Sequence, residues 1–305
     1  MTKPEMPGRT LVTRESLADG LRRLGLAAGD RVVVHSSLKS LGHVEGGPHA
    51  VIGALQDVLT DEGLLLMPSF NHGIPFHAGG VGYYDPRDTP TCDGLIPETF
   101  RRLPGVWRSL NPTHAYCAWG RSAERYVNRH HLTLTMGPDS PQGILHREGG
   151  RCLFIGTNYH TNTFKHVVEM ATGAPCLGRR TIELPVHLPD GRRVKLRTWG
   201  YRGTSCPISD PNDHVDREMT RLGLHTRARI GDSTVTLFRL RDFFTLLAGM
   251  LQQGYAGYPP CSECPVRPNA TEHDVPSDWD EETNDLLPDS PSRAIGPLAW
   301  RNGTG

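Results

Sequence analysis

The fold is decided by Arg31-Val-Val-Val34, an apolar run that leads directly into His35-Ser-Ser-Leu-Lys-Ser-Leu-Gly-His-Val-Glu-Gly-Gly47. A second run, Cys152-Leu-Phe-Ile155, leads into Gly156-Thr-Asn-Tyr-His-Thr-Asn-Thr-Phe-Lys-His-Val-Val-Glu169. In both places a buried-type strand is followed by a turn rich in glycine and hydroxyl residues, and then by a helix. This order predicts an α/β protein whose ligands bind beyond the carboxyl ends of the strands.

The remaining local signals fit the same alternation. Thr13 is suited to cap a helix that Gly25 ends, and Gly47-Pro48 begins another helix. Leu64-Leu-Leu-Met67, before Pro68, is a further buried strand. We therefore expect a layered α/β/α sandwich around a central mixed sheet.

The chain divides into one large domain and a tail. Residues 1–256 carry the alternating pattern and form the predicted catalytic domain. Within them, residues 70–95 are rich in Gly, Pro and Asp and predict a long functional loop. Residues 257–305 are Pro-rich and acidic, which predicts a tail rather than a second domain.

Composition excludes several classes of protein. Lys plus Arg and Asp plus Glu number 33 each, so no net charge favours nucleic acid or an anionic membrane. The first residues lack the apolar run of a secretion signal, and no later stretch is long and apolar enough to span a bilayer. With no secretion signal, the seven cysteines predict reduced thiols or metal ligands. We expect a soluble, cytoplasmic monomer or homodimer.

The first motif has the donors of a cofactor site. Ser36, Ser37 and nearby backbone amides can donate to carbonyl or phosphate oxygens, and the glycines let a ligand approach the main chain. Pantetheine with its pyrophosphate requires that mixture, although a serine-rich turn that only caps a helix is equally compatible. The sequence has no P-loop, no strand-linked dinucleotide-binding glycine motif and no Gly-x-Ser-x-Gly elbow.

The second motif has a potential base. His166 and Glu169 are three residues apart on a helix that Asn162 or Thr163 can cap, so imidazole and carboxylate share one face. Such a carboxylate fixes the histidine tautomer and raises its pKa. The alternative is a surface ion pair without a catalytic role. His114 is a competing base, but no carboxylate lies near it in sequence.

Over roughly residues 10–250 the chain resembles the aminoglycoside 3-N-acetyltransferase family. The matching stretches are His35-Ser-Ser-Leu with Gly46-Gly47, Met67-Pro-Ser-Phe70, Tyr84-Asp-Pro86, Ile96-Pro-Glu-Thr-Phe-Arg101, Val106-Trp-Arg-Ser-Leu-Asn-Pro-Thr-His114, Ala118-Trp-Gly120, Gly137-Pro-Asp-Ser-Pro141, and Asn162-Thr-Phe-Lys-His166 with Glu169. The resemblance implies direct transfer of an acetyl group from acetyl-CoA to an aminoglycoside, at the 3-amino group of 2-deoxystreptamine.

The resemblance also assigns roles to residues. His166 becomes the general base, with Thr163 and Glu169 as its neighbours on the helix. The implied contacts to CoA are His35, Ser36, Ser37, Leu38, Gly42, Val44, Arg108 and Ser109. Backbone amides after Val34, or the hydroxyl of Thr163, could stabilise the oxyanion.

A cationic aminosugar requires a cleft lined by carboxylates. Glu98 matches an acidic position near the family's acceptor site, and Asp85 and Asp213 belong to two acidic loops that could converge on His166. These acids could equally be solvated residues with roles in turns. A biosynthetic acyltransferase that acts on another small amine therefore stays open.

Cys261-Ser-Glu-Cys264 is half of a zinc site. Cys176 and Cys206 could complete four ligands, with His214 as a substitute, and the zinc would attach the tail to the body. A redox pair and two unrelated thiols are the other interpretations. His160 and Asn158 depart from the family pattern, which leaves open a catalytically inactive relative that binds CoA or zinc.

Overall fold

The computed structural model describes residues 8–172, 180–200, 206–210 and 212–264. Its helices are α1 (Arg14–Leu24), α2 (Gly47–Leu59), α3 (Leu95–Phe100), α4 (Ala123–Val127), α5 (Pro141–Arg147), α6 (Lys165–Ala171), α7 (Asn212–Arg221) and α8 (Leu240–Gln253). Its strands are β1 (Leu11–Val12), β2 (Arg31–Ser36), β3 (His43–Val44), β4 (Leu64–Phe70), β5 (Trp107–Arg108), β6 (His114–Gly120), β7 (Arg151–Ile155), β8 (Arg180–His187), β9 (Arg193–Gly200), β10 (His225–Ile230) and β11 (Ser233–Arg239). Within the described ranges, none of the helices combines the length and the apolar character that crossing a bilayer requires.

A seven-stranded mixed sheet forms the centre, in the order β10-β11-β7-β2-β4-β6-β5. β2 pairs in parallel with β4 on one side and with β7 on the other. The outer strands add antiparallel pairs. Parallel strands at the centre of such a sheet are covered on both faces, which explains their continuous apolar runs.

Adjacent residues of β2 point into two separate cores. Val33 packs into a core that also contains residues of α4 to α8. Val32 and Val34 pack into a second core, which α1, α2 and α3 cover. Because successive side chains of a strand point to opposite faces, one short segment supports both layers. The predicted α/β/α sandwich is confirmed.

Helix ends follow the sequence signals at most positions. The Thr13 side chain accepts from the Ser16 amide, and Gly25 ends α1 in the left-handed conformation. The proline of the Gly47-Pro48 pair lies in the first turn of α2. The predicted cap of α6 is wrong: Phe164 holds the N-cap position, without a side-chain cap.

Pro68 does not end the strand that precedes it. β4 continues to Phe70, and Pro68 lies opposite Tyr116 of β6. The pairing of β2 with β4 runs only from Arg31 with Leu64 to Val33 with Leu66. The missing amide hydrogen of Pro68 therefore costs no ladder bond toward β2.

The predicted long loop connects β4 to α3 and contains one short 3-10 helix, Ile74–Phe76. It rests on the β8–β9 hairpin through the bridge of Tyr84 with Val186 and a small core that they share with Leu110. The hairpin has no counterpart in the sequence-based prediction. Of the predicted tail, residues 265–305 lie outside the described residues.

Candidate active site

The two sequence motifs meet at the carboxyl ends of β2 and β7. The Ser37 amide donates to the carbonyl of Ile155 (2.8 Å), and the Thr157 hydroxyl donates to the carbonyl of His35 (3.2 Å). At Gly156, φ is +66°, and a Cβ atom would lie 1.6 Å from the Ser40 hydroxyl. Only glycine permits this close approach, so the second turn can lie against the first.

His166 and Glu169 form the expected pair on α6. His166 Nδ1 lies 2.8 Å from Glu169 Oε2, and the Glu169 side chain is fully buried while that of His166 is about 20% exposed. The Ser209 hydroxyl donates to the other carboxylate oxygen, Oε1. A buried carboxylate requires such partners. The result is a serine–carboxylate–imidazole chain that fixes the orientation of the ring.

Ser209 reaches Glu169 because its segment is attached to α6. Lys165 Nζ lies 2.5 Å from Asp210 Oδ1, and both side chains are largely buried. Asp210 also accepts from the amide of Cys206. Asp210, an acid of the second acidic loop, therefore helps to hold Ser209 next to Glu169.

Thr163 lies one turn before His166, where two side chains hold its hydroxyl. Gln142 Nε2 donates to Thr163 Oγ1 (3.0 Å), and the Tyr116 hydroxyl lies 3.3 Å from the same oxygen. Burial raises the pKa of Tyr116, which keeps the phenol neutral. Because the Tyr116 hydroxyl donates to Met136 Sδ (3.4 Å), its oxygen is left to accept the Thr163 hydrogen.

A cleft of about 400 Å³ lies at these strand ends. Its walls include His35, Ser36, Phe70, Asp93 and Thr163. Two buried polar atoms in it, His35 Nε2 and Ser36 Oγ, have no hydrogen-bond partner among the described residues. Burial lowers the pKa of His35 to about 4, so its ring is neutral near pH 7.

The rest of the predicted cofactor segment shapes the turn. Ser37 precedes the 3-10 helix Leu38–Leu41. At Gly42, φ is +103° and a Cβ atom would lie 2.5 Å from the carbonyl oxygen of Thr10, so the chain passes close to the start of β1. Val44 pairs with Val12 in the parallel β1–β3 pair.

Arg108 and Ser109 do not fit the predicted cofactor contact. The Arg108 guanidinium is 1% exposed and donates to the carbonyls of Pro86 (3.0 Å), Thr89 (2.7 Å) and Ser69 (3.2 Å). Ser109 is fully buried and its hydroxyl lies 3.0 Å from His130 Nδ1. Both side chains bond to the protein itself and stabilise the long loop and β6. We therefore remove them from the proposed cofactor contacts.

The predicted acceptor acids carry protein partners. Glu98 pairs with Arg101 (2.6 Å) and Arg102 (2.5 Å). Partial burial would raise the pKa of Glu98, but hydrogen bonds from Arg101 and the Thr91 amide, with the Arg101 charge, hold it at about 2. Its carboxylate therefore organises α3 rather than facing a substrate.

Asp85 and Asp213 lie in different settings. Asp85 is 7% exposed, accepts from the Arg87 amide (2.7 Å) and lies 3.5 Å from the Arg87 side chain. Asp213 is an exposed residue of α7, 3.7 Å from Arg217. Neither is among the residues that line the cleft of Thr163.

Asp93 is the carboxylate that lines this cleft. Its Oδ2 accepts from the Phe70 amide (2.6 Å) and the Thr91 hydroxyl (3.0 Å), and its Oδ1 lies 3.9 Å from His72 Nε2. Burial raises the pKa of Asp93 despite these partners. In the sequence, Asp93 is one of several aspartates of the long loop, residues 70–95, and nothing distinguishes it from the others. Its position in the wall of the cleft is visible only in three dimensions.

His114, the competing base, has an apolar setting. Its ring packs edge-on against Phe70 (5.0 Å between centroids) and His72 (5.4 Å), and its Nδ1 lies 2.8 Å from the Thr113 hydroxyl. Burial, with smaller effects of the nearby His72, His166 and His130, lowers the pKa of His114 to about 3. The ring is neutral near pH 7, and the ionisable groups that shift its pKa are histidines rather than a carboxylate.

The zinc prediction receives no support. Cys176 lies outside the described residues, and the described ranges contain no group of three or more His, Cys, Asp or Glu side chains placed to hold a metal ion. Cys206 and Cys261 are buried side chains of one large core. Cys261 and Cys264 flank a 3-10 turn that packs against α8, so apolar packing attaches this part of the chain.

The histidine–carboxylate pair follows, by one turn, Thr163 in the wall of a cleft at the strand ends of an α/β/α sandwich, an arrangement compatible with base-assisted chemistry. A sequence model of the aminoglycoside 3-N-acetyltransferases matches residues 33–252. The chain belongs to that family and is an acyltransferase, which confirms the resemblance.

Individual relatives agree with the family. Aminoglycoside N(3)-acetyltransferase VII of Streptomyces paromomycinus is 32% identical over 257 residues, which cover 76% of this chain and 88% of the relative. A solved structure described as AAC-IIIb binary with CoASH superposes with a TM-score of 0.71 at 25% identity, over 82% of this chain and all of the other. A histidine-to-alanine mutant of aminoglycoside acetyltransferase AAC(3)-IVa, in complex with a gentamicin, superposes with a TM-score of 0.69 at 28% identity, over 82% and 92%.

Proposed function

We propose that this enzyme transfers the acetyl group of acetyl-CoA to the 3-amino group of a 2-deoxystreptamine aminoglycoside, with His166 as the general base. The observation that carries the proposal is the chain from Ser209 through the buried Glu169 to His166 Nδ1. We expect it to act in the cytoplasm as a monomer or homodimer.

The chain of contacts favours proton abstraction by the other ring nitrogen. Because Nδ1 faces the carboxylate, Nε2 is the atom that would accept a proton from the acceptor amine as this amine attacks the thioester carbonyl. The tetrahedral intermediate then collapses with cleavage of the C–S bond, and His166 returns the proton to the CoA thiolate that leaves. Glu169 stabilises the imidazolium that results. Base catalysis of this kind contributes about 100- to 10,000-fold to the rate.

The cleft supplies donors for the thioester and its arm. His35 and Ser36, whose Nε2 and Oγ atoms have no protein partner among the described residues, line it, and so does Thr163. The Thr163 hydroxyl could turn its hydrogen from the Tyr116 oxygen to the oxyanion that develops on the thioester carbonyl. The solved relative with CoASH supports a CoA thioester as the donor.

Asp93 supports a cationic acceptor. Asp93 lies in the cleft wall, and its neighbour within salt-bridge distance is His72 rather than a lysine or arginine. An ammonium group of the acceptor could therefore pair with Asp93. The relative in complex with a gentamicin supports an aminoglycoside as the acceptor.

The direct test is release of CoA from acetyl-CoA with a panel of aminoglycosides, with wild type beside His166→Ala. We expect turnover that falls at least about 100-fold in His166→Ala. The matched control is His49→Ala, an exposed histidine of α2 that does not line the cleft, which should keep most of the activity. Mass and NMR analysis of the product identifies the acetylated nitrogen.

Two outcomes contradict the proposal. Turnover that survives in His166→Ala would mean that His166 is not the general base, although the proposed reaction would stand. CoA binding without turnover on any 2-deoxystreptamine compound favours a different amine or an inactive relative.

A further inference from the structure

A second cavity, of about 290 Å³, lies next to the catalytic cleft. Cys92 lines both, and Asn71, which lines the second, lies between Phe70 and His72 of the first. The two spaces are therefore neighbours across a single stretch of the long loop. Nothing in the proposed reaction uses the second cavity.

Its wall is mainly hydrocarbon. Ile74, Pro75, Val81 and Pro90 line it, and the side chains of Ile74 and Val81 belong to residues that are 53% and 66% exposed. Large apolar residues that face water around one concave space are typical of a binding site. Asp88 adds an exposed carboxylate to the lining.

The shape of this wall is built into the loop. The Gly82 amide donates to the Pro75 carbonyl (2.8 Å), and a Cβ atom at Gly80 would lie 2.3 Å from the same oxygen. Tyr83 stacks on His187 of β8 with 3.6 Å between ring centroids. The cavity is thus formed before any ligand arrives, which limits the entropy lost on binding.

We infer that this cavity receives a deoxygenated or methylated ring of the acceptor, and that it makes the enzyme prefer such aminosugars over their hydroxylated counterparts. The inference rests on the proposed function. Asp93, beside Cys92, would hold an ammonium group in the cleft while the next ring enters the cavity.

Size and chemistry select this occupant. An apolar cavity of about 150 Å³ holds a benzene ring, so 290 Å³ is sufficient for one sugar-sized ring. Hydroxyl groups placed against Ile74, Val81 and the prolines would lose their hydrogen bonds to water. The exposed carboxylate of Asp88 in the lining favours a cationic ligand over the anionic CoA.

The test compares matched acceptors. Kanamycin B and tobramycin differ by one ring hydroxyl, which tobramycin lacks, and a second pair consists of two gentamicin congeners that differ only in the methyl groups on one aminosugar. We expect kcat/KM to favour tobramycin, and to favour the more methylated gentamicin, by about fourfold or more, the effect of moving one methylene from water to an apolar site.

The double variant Ile74→Asn with Val81→Asn makes the cavity polar at two exposed positions. It should bring these ratios close to one through KM, whereas the control Leu11→Asn, at a 60% exposed leucine of β1, should leave them unchanged. Val81→Trp, which fills the cavity, should raise KM for tobramycin more than for kanamycin B.

If the kcat/KM ratios of the matched acceptors are the same in wild type and in the double variant, the inference is overturned. Turnover of these acceptors would still support the proposed function. A double variant that changes the preference between acetyl- and hexanoyl-CoA instead assigns the cavity to the acyl chain and also overturns it. Calorimetric binding of the same compounds separates the two proposals: discrimination in binding without turnover supports the cavity and contradicts the reaction, and absence of binding contradicts both.

Discussion

Two histidines near the catalytic cleft, His166 on α6 and His114 at the start of β6, differ in what surrounds them. His166 has a fully buried carboxylate at 2.8 Å, which a serine holds from the other side. His114 has aromatic rings, a threonine hydroxyl and other histidines. Burial is the main reason that the pKa of His114 falls to about 3.

Under the proposed function, this difference explains why His166 can act as a base whereas His114 cannot. Desolvation disfavours the protonated ring, and only an opposite charge within a few ångströms can offset that cost. At His114 the ionisable groups that shift the pKa are themselves histidines, which add to the effect of burial. A short distance to the cleft is therefore insufficient for catalysis.

The largest expected effect comes from removal of the carboxylate itself. Glu169→Gln keeps the shape of the side chain but loses the charge that stabilises the His166 imidazolium, so we expect kcat to fall about 100-fold or more. Steady-state kinetics with acetyl-CoA measure it. Circular dichroism and thermal melting verify that the variant is folded.

If Glu169→Gln keeps wild-type kcat, the contrast between the two histidines has no catalytic meaning. Glu124→Gln provides the control, since this glutamate lies in the first turn of α4.

The second-largest effect is expected on acceptor binding, at Asp93 in the wall of the cleft. Asp93→Asn keeps an oxygen that can accept from Phe70 or Thr91 but removes the charge. We expect KM for the aminoglycoside to rise about tenfold, since hydrogen bonds to charged groups are worth about 1.5–3 kcal/mol. KM for acetyl-CoA should stay within a factor of about two, because a neutralised acceptor contact leaves the arm of the cofactor untouched.

Asp213→Asn, at an exposed carboxylate on α7, is the matched control. An equal rise in KM for both variants would mean that general charge, rather than the position of Asp93, attracts the acceptor.

The fold could be predicted because its decisive segments are local. Arg31-Val-Val-Val34 and Cys152-Leu-Phe-Ile155 are continuous apolar runs, and such runs are typical of strands that are buried on both faces. Pro68 shows the limit of such predictions. A proline is tolerated inside β4 because the pairing with β2 stops before it, and the sequence does not show where that pairing stops. The β8–β9 hairpin escaped prediction since its attachment to Tyr84 joins segments that are far apart in the chain.

The site could be predicted only where its residues share a helix or a turn. The pair of His166 with Glu169 follows from helical spacing, whereas Ser209 lies 40 residues beyond Glu169 with no local signal. Arg108 illustrates the opposite error: a basic residue in a family motif suggests a ligand for CoA, but burial and three carbonyl acceptors give it a structural task.

Ser209 should have a smaller effect that sharpens the contrast. Ser209→Ala removes one donor from the buried carboxylate, and we expect kcat to fall about fivefold, since one such bond contributes about 1 kcal/mol. With less of its charge engaged, Glu169 should hold the His166 proton more tightly. The acid limb of the kcat/KM profile should then move to higher pH.

Ser209→Thr retains the hydroxyl and should restore both values toward wild type. A loss of kcat without movement of the acid limb would assign Ser209 to packing rather than to the orientation of Glu169.

The smallest effect on activity is expected at His114, where the effect on stability is the informative one. His114→Gln should change kcat at pH 7 less than about threefold, because a base contributes about 100-fold or more. A loss of kcat as large as that of a missing base would make His114 the base in place of His166.

The stability of His114→Gln should depend on pH in a direction that burial sets. The folded protein keeps His114 neutral down to about pH 3, whereas the unfolded chain takes up its proton near pH 6.5. Stability from this residue is therefore present above pH 6.5 and is lost as the pH falls toward 3. Because His114→Gln removes that loss, its melting temperature should fall less than that of wild type as the pH is lowered from about 7 to about 5. Equal slopes would mean that the pKa of His114 is the same in the folded and unfolded protein, and the contrast with His166 would then rest on position alone.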